Sequence, residues 1–245
     1  MFDLFDQFKE ISYFITNVHE GESKGAYSTN NLALHTGDHE ADVLSNRYKL
    51  KQKNGIENLH IPDQTHSANI KSIPLKNGGL DNTDALITNV KNECIAVLTA
   101  DCVPVLIYNE KQKAVAAIHA GWKGIISEII PSTIEMMLAR YGGKPSNFYV
   151  GIGPCISKKS YEVGEDVAQK FDEIFPKQLG VVDRKIGAKP HIDLVLAAQL
   201  QLLSCGIPQL QIESCGECTF LNENYFSARR LGLKSGRFAS GIMIR

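Results

Sequence analysis

Nowhere in the 245 residues does an apolar run approach the roughly 20 residues that a membrane helix needs. Neither sign of charge dominates: 26 Lys and Arg stand against 27 Asp and Glu, a formal charge of −1. The first absence argues against a membrane partner, and the second against a nucleic-acid surface built on a basic excess. No internal repeat, low-complexity tract or long linker is evident, so a single domain over 1–245 is the simplest expectation. Met1 to Glu10 carries acids among its aromatics and lacks both a basic n-region and a continuous apolar h-region. That points away from a secretory signal and towards a cytoplasmic protein. The six cysteines, Cys94, Cys102, Cys155, Cys205, Cys215 and Cys218, are then expected as reduced thiols. With 43% hydrophobic and 22% charged residues, a chain of this length buries its core without help from disulfides or metal. Any metal would therefore serve function rather than folding.

Apolar runs at Ile11–Val18, Asp84–Thr88, Cys94–Thr99, Val103–Tyr108, Ala114–Ile118, Phe148–Ile152 and Leu210–Ser214 read as strands. Helical spacing predicts helices over His39–Lys53 with a cap at Asp38, and over Gly124–Arg140, Val163–Phe175 and Ile192–Ser204. The class is α/β or α+β. The strands between residues 84 and 118 follow one another too closely for crossover helices, so part of the sheet must be antiparallel or mixed. The segment Lys177–Pro190 reads as a surface loop.

Reactive side chains gather where apolar strands end. Cys102 follows one such strand in Leu98-Thr-Ala-Asp-Cys-Val-Pro, and His119 closes another before Ala-Gly-Trp-Lys-Gly. His66 lies in Asp63-Gln-Thr-His-Ser. Two imidazoles and a thiolate form a three-ligand zinc set, which leaves a fourth position open for water or substrate. A Cys102–His119 nucleophile and base is a second reading of the same residues. The plain reading, a small core cysteine with satisfied histidines, stands beside both. Arg47 shares a helical stripe with Val43, Leu44 and Leu50, which carries its guanidinium towards an inward face, as an anion site or as a stem that packs while its head reaches water. His35, in a segment rich in hydroxyls and amides, is left between turn and site. Arg229 and Arg230 are weaker anion candidates. Gly151-Ile-Gly-Pro-Cys reads as a tight turn in which Cys155 lines a pocket or fills a gap. Cys215-Gly-Glu-Cys218 is a single CxxC pair without the second pair a structural zinc site would need. Cys94 and Cys205 read as core, and His19, His39, His60 and His191 as surface or packing residues.

Taken in order, Asn31-Leu-Ala-Leu-His-Thr-Gly-Asp, Asn46-Arg47, Asp63-Gln-Thr-His66, Thr83-Asp84-Ala, Thr99-Ala-Asp-Cys102-Val-Pro, His119-Ala-Gly-Trp-Lys-Gly, Gly153-Pro-Cys-Ile, Cys218-Thr, Phe226-Ser-Ala-Arg-Arg and Ser235-Gly-Arg resemble the YfiH-type laccase-domain family. That family is also called polyphenol oxidase or multicopper-oxidase-like, and is now regarded as purine nucleoside phosphorylases. The resemblance covers nearly the whole chain. It implies a three-layer α/β fold with mixed sheets, similar to cytotoxic necrotizing factor catalytic domains, and one zinc held by His66, Cys102 and His119. It implies phosphorolysis of adenosine, inosine, guanosine and methylthioadenosine, with adenosine deamination beside it. The partners are then a purine nucleoside and phosphate, with Arg47 the first candidate for the phosphate. Copper fits less well, because the His-x-His pairs of multicopper oxidases are missing from a chain with seven histidines. The alternatives are a metal-independent cysteine hydrolase or deamidase using Cys102 and His119, and a peptidoglycan-precursor editing enzyme. Ala228 stands where the family often has tyrosine.

Overall fold

The computed structural model describes residues 2–185 and 189–245. Two mixed sheets carry the architecture. The larger has six strands in the order Ile212–Ser214, Phe148–Ile152, Val103–Asn109, Ala114–Ala120, Ala85–Thr88 and Ile70–Ser72. Its three central pairings are antiparallel and its two outer ones parallel. The smaller runs Ile11–Ile15, Phe238–Ile244, Glu93–Thr99 and Asn58–His60, with only the last pairing parallel. The expectation of a mixed α/β fold is met.

Alternation along each strand sorts side chains between layers. Val103, Val105 and Ile107 face the cluster built with Ile129, Ile130 and Ile134 of the helix Ile129–Tyr141, Phe171 of Glu165–Ile174 and Ala197 of Leu194–Ser204. Leu106 and Tyr108, from the opposite face, meet Ile95, Val97 and Ile242 of the smaller sheet. Helices, six-stranded sheet and four-stranded sheet thus stack in order. The helix Glu40–Asn54 backs the outer face of the smaller sheet through Leu50, which packs with Ala96, Leu98 and Met243.

Several boundaries depart from the sequence reading for identifiable reasons. The helix expected over Gly124–Arg140 is two, Trp122–Ile126 and Ile129–Tyr141, broken at Ser127 and Glu128, where Glu128 takes φ 57°. Pro131 has no N–H for the Ser127 carbonyl and its ring would clash there, so one continuous helix is excluded. The helix after His39 begins at Glu40 with His39 as its cap residue, and Asp38 instead accepts from the His39 amide and from Asn31. It stops at Gly55, whose φ of 60° closes the last turn. Ile192 pairs with Val182 in a short strand, so the next helix starts at Leu194, with Asp193 accepting from the Leu196 amide. That strand and a 3-10 turn at Lys177–Leu179 replace part of the surface loop expected over Lys177–Pro190, while 186–188 lie outside the described residues. Gly151 and Ile152 extend a strand rather than turning, and Cys155 is buried. Among the described residues no helix is long and apolar enough to cross a membrane.

Candidate functional site

His66 and Cys102 lie where the chain crosses between sheets. His66 is on the connection from Asn58–His60 in the smaller sheet to Ile70–Ser72 in the larger, and Cys102 on the turn from Glu93–Thr99 to Val103–Asn109. His119 is the last residue but one of Ala114–Ala120, opposite Pro104. One imidazole nitrogen from each histidine and the Cys102 sulfur all lie within 4.8 Å of one another. The Cys102 Sγ is 3.8 Å from His66 Nε2, and the two imidazole rings stand edge to face at 4.8 Å. Among the described residues this is the one group of three or more His, Cys, Asp or Glu side chains so placed.

Asp84 organises the group. It immediately precedes the strand Ala85–Thr88, whose antiparallel register sets Ala85 against Ile118. Asp84, one residue before Ala85, therefore meets His119, one residue after Ile118, and the His119 amide donates to the Asp84 carbonyl at 2.7 Å. The Asp84 carboxylate, fully buried, accepts from His119 Nδ1 at 2.7 Å, from the amides of Thr65, His66 and Ser67 at 3.2, 3.1 and 2.7 Å, and from the Ser67 hydroxyl at 2.7 Å. One carboxylate thus anchors both histidine-bearing segments. With Nδ1 committed to Asp84, the Nε2 of His119 is left for the pocket.

Two non-glycine residues of the site hold left-handed backbone, His66 at φ 60° and Asp101 at φ 93°. Such conformations cost on the order of 1–3 kcal/mol each and persist where surroundings over-determine them. Asp84 holds the His66 amide, while the Asp101 carboxylate accepts from Thr219 Oγ1 at 2.6 Å and the Arg229 amide at 2.7 Å. Gly121 leaves little room for a side chain. A Cβ there would stand 3.0 Å from both Cys102 Sγ and His66 Cδ2.

The electrostatics favour a thiolate. Burial alone would push the Cys102 thiol up, but the imidazoles of His119 and His66 outweigh it and hold it below the usual thiol range. Burial would likewise lower His119, yet Cys102 and Asp84 raise it. For Asp84, hydrogen bonds from His119 and Ser67 overcome burial and bring its pKa down to about 2. A thiolate with two imidazoles of which one is oriented by a carboxylate matches the donor set and outer-shell pattern of a metal centre.

The three side chains open into a cavity of about 290 Å³. His35, Gln64, Tyr161, Ala228, Arg229, Leu233 and Arg237 are among its other walls. His35, undecided from sequence, therefore belongs to the pocket, and burial together with the charges of Arg237 and Arg47 lowers its pKa. Arg47 is not part of the wall. It is half-buried and near enough for its charge to act on His35, with Nε donating to the Leu32 carbonyl at 2.9 Å. Arg230 lies apart from the wall, its guanidinium spent on the carbonyls of Thr219, Phe220 and Tyr225. Asp84, Gln64, Tyr161 and Arg237 went unassigned in the sequence reading. A lone acid at the mouth of the apolar run Ala85–Thr88 was the local signal for Asp84; Asp84, Gln64 and Arg237 also lie in the family-like segments Thr83-Asp84-Ala, Asp63-Gln-Thr-His66 and Ser235-Gly-Arg, whereas Tyr161 carries no signal.

Fold and site together define a mixed α/β protein with one His/Cys/His centre at the junction of two sheets. The chain belongs to the family described as multi-copper polyphenol oxidoreductase laccase, whose model matches residues 12–245. A Bacteroides thetaiotaomicron protein named purine nucleoside phosphorylase is 38% identical over 256 residues, covering 99% of this chain and 95% of that one. Adenosine deaminase RL5, from an unknown prokaryotic organism, is 33% identical, covering 95% and 93%. Among solved structures, the hypothetical protein YfiH of Bacillus licheniformis superposes with a TM-score of 0.91 at 29% identity, covering 98% of this chain and 94% of that one. The resemblance seen in the sequence is thereby established.

Proposed function

We propose that the chain is a zinc-dependent purine nucleoside phosphorylase acting on adenosine, inosine, guanosine or methylthioadenosine, with adenosine deamination as a secondary reaction in the same pocket. The observation that carries this reading is the meeting of a three-donor metal-type site with arginines that have no carboxylate partner. Among the described residues, none of Arg47, Arg229 and Arg237 makes an ion pair. Arg229 and Arg237 line the pocket, and although the Arg237 guanidinium also donates to the carbonyls of Leu233, Ser235 and Gly236, its charge is not neutralised there, which suits a phosphate dianion. The printed names of the relatives, purine nucleoside phosphorylase and adenosine deaminase, agree with that chemistry.

His66, Cys102 and His119 would hold the ion, and a thiolate with two imidazoles favours zinc over magnesium, while the lack of a second such cluster among the described residues disfavours a multinuclear copper centre. When bound, zinc supplies Lewis-acid polarisation at the pocket floor. Asp84 keeps His119 in the tautomer that presents Nε2. Arg229 and Arg237, in the wall, hold phosphate on one side, with Arg47 adding its positive charge from outside the wall. Tyr161 and Leu233 offer apolar surface to a flat base. His35, whose pKa burial and the charge of Arg237 lower, presents an imidazole to the purine from the pocket wall. A cytoplasmic location suits a site built on a thiolate.

A second reading has its own support. Cys102, His119 and Asp84 also form a thiolate, imidazole and carboxylate series, the arrangement of a metal-independent cysteine hydrolase. Because both readings predict an inactive Cys102→Ala, the discriminating experiment is product analysis. Purified, zinc-loaded protein is incubated with adenosine, inosine and methylthioadenosine, with and without phosphate, and bases are resolved from nucleosides by chromatography. Adenine that forms only with phosphate is the expected result, and inosine formed without it reports the deaminase. Absence of both products sinks the nucleoside reading.

A further inference from the structure

The CxxC pair and Cys155 take no part in the chemistry above, yet they adjoin its scaffold. Cys155 and Cys218 face each other across an isolated parallel bridge. The Cys155 amide donates to the Glu217 carbonyl at 3.2 Å and the Thr219 amide to the Cys155 carbonyl at 3.0 Å. Residues so paired have Cα atoms about 4.8 Å apart, the spacing of adjacent strands, inside the roughly 4.4–6.8 Å window of a disulfide. Cys215 belongs elsewhere: its amide bonds the Ile152 carbonyl, and its side chain packs between the two sheets, whereas Cys155 lies in the helix-side core. Cys218 is half-buried, with the Ser157 amide donating to its sulfur at 3.2 Å and the Ser160 hydroxyl 3.8 Å away.

We propose that Cys218 is a peroxide-reactive thiol that closes to a disulfide with Cys155. The Ser157 amide donating to its sulfur is the kind of contact that stabilises a thiolate. Burial alone would raise Cys218, and the contacts with Ser157 and Ser160 outweigh it, while burial pushes Cys155 well above the usual thiol range. Cys218 is therefore the attacking sulfur and Cys155 the slower, resolving one. In the first step the Cys218 thiolate attacks hydrogen peroxide; an S–O bond forms, the O–O bond breaks, and hydroxide leaves as water after protonation. In the second, Cys155 attacks the sulfenic sulfur; the S–S bond forms, the S–O bond breaks and a second water leaves. Two thiols are oxidised and one peroxide is reduced.

The location ties this chemistry to the pocket. Ile156, next to Cys155, donates its amide to the Asp101 carbonyl at 3.0 Å, and Thr219, next to Cys218, donates its hydroxyl to the Asp101 carboxylate. A cross-link would join the two anchors of the residue preceding Cys102. The test treats zinc-supplemented protein with a slight excess of hydrogen peroxide, alkylates free thiols and maps every cysteine by peptide mass spectrometry. The expected product is a Cys155–Cys218 disulfide, and in Cys155→Ala a Cys218 sulfenic acid trapped by dimedone. Cys218 left reduced while another cysteine is oxidised overturns the proposal, as does a Cys215–Cys218 disulfide. Should Cys155→Ala not fold, time-resolved dimedone trapping in the unaltered chain decides, since sulfenate at Cys218 must precede the disulfide.

Discussion

Asp84 holds His119 through a 2.7 Å contact between its carboxylate and Nδ1, and with the same two oxygens takes the amides on either side of His66. Two ligand candidates from distant parts of the chain are thus positioned by one buried acid. Outer-shell partners of this kind typically contribute on the order of 10–100-fold in metal affinity. Asp84→Asn should weaken zinc by about that factor, read by competition with a chromophoric chelator. Unchanged zinc affinity would remove Asp84 from the centre.

Gly121→Ala places a methyl group 3.0 Å from both Cys102 Sγ and His66 Cδ2. The strand behind it is fully buried and should keep its pairing, so the expected phenotype is local. Zinc stoichiometry should fall well below one per chain while the circular dichroism spectrum and melting transition stay close to those of the unaltered protein. Full zinc occupancy would show that the two ligands are not held where the geometry puts them.

The proposed phosphate site rests on Arg229 and Arg237 in the pocket wall. A charge-assisted hydrogen bond contributes roughly 1.5–3 kcal/mol, or about 10–100-fold. Arg229→Ala should therefore raise the KM for phosphate by at least about 10-fold and leave the KM for adenosine nearly unchanged, whereas Arg47→Ala, outside the wall, should change it less. An equal effect on both substrates would assign Arg229 to support of the pocket wall through the Glu162 carbonyl instead.

Acid stability has a separate and local origin in Glu10. Its carboxylate accepts from the buried Tyr108 hydroxyl and pairs with Lys113, and these hydrogen bonds bring its pKa down to about 2. A carboxyl lower in the folded than in the unfolded chain stabilises above its unfolded value near 4.5, and that contribution is lost as pH falls towards 2. The pair is partly exposed, so solvent screening limits it to about 1 kcal/mol or less. Glu10→Gln should lower stability at pH 7 and narrow its gap to the unaltered protein between pH 4 and pH 2, measured by urea denaturation across that range.

Much of the fold was legible where local pattern and burial coincide. Val103–Asn109 and Ala114–Ala120 are buried on both faces, so continuous apolar runs announced them. Phe238–Ile244 is equally buried and was missed, because Ser240 and Gly241 interrupt its apolar pattern. The helix break at Ser127 needed Pro131 to be weighed against the apolar period that runs through it. In the site, His66, Cys102 and His119 were legible as reactive side chains at strand ends. Asp84 acquires its role from the register of Ala85 against Ile118, a long-range pairing that no local spacing encodes. Tyr161 and Arg237 reach the pocket through tertiary packing in the same way.

The central claim is that phosphorolysis depends on an ion held by His66, Cys102 and His119. It is tested most directly by following ribose 1-phosphate release from adenosine and phosphate in one preparation, before chelation, after removal of metal, and after zinc is restored. The account predicts product in the first and third states and a loss of at least about 100-fold in the second, the scale expected when a catalytic electrostatic group is removed. Undiminished turnover in metal-free protein, with a covalent adduct trapped on Cys102, would contradict it.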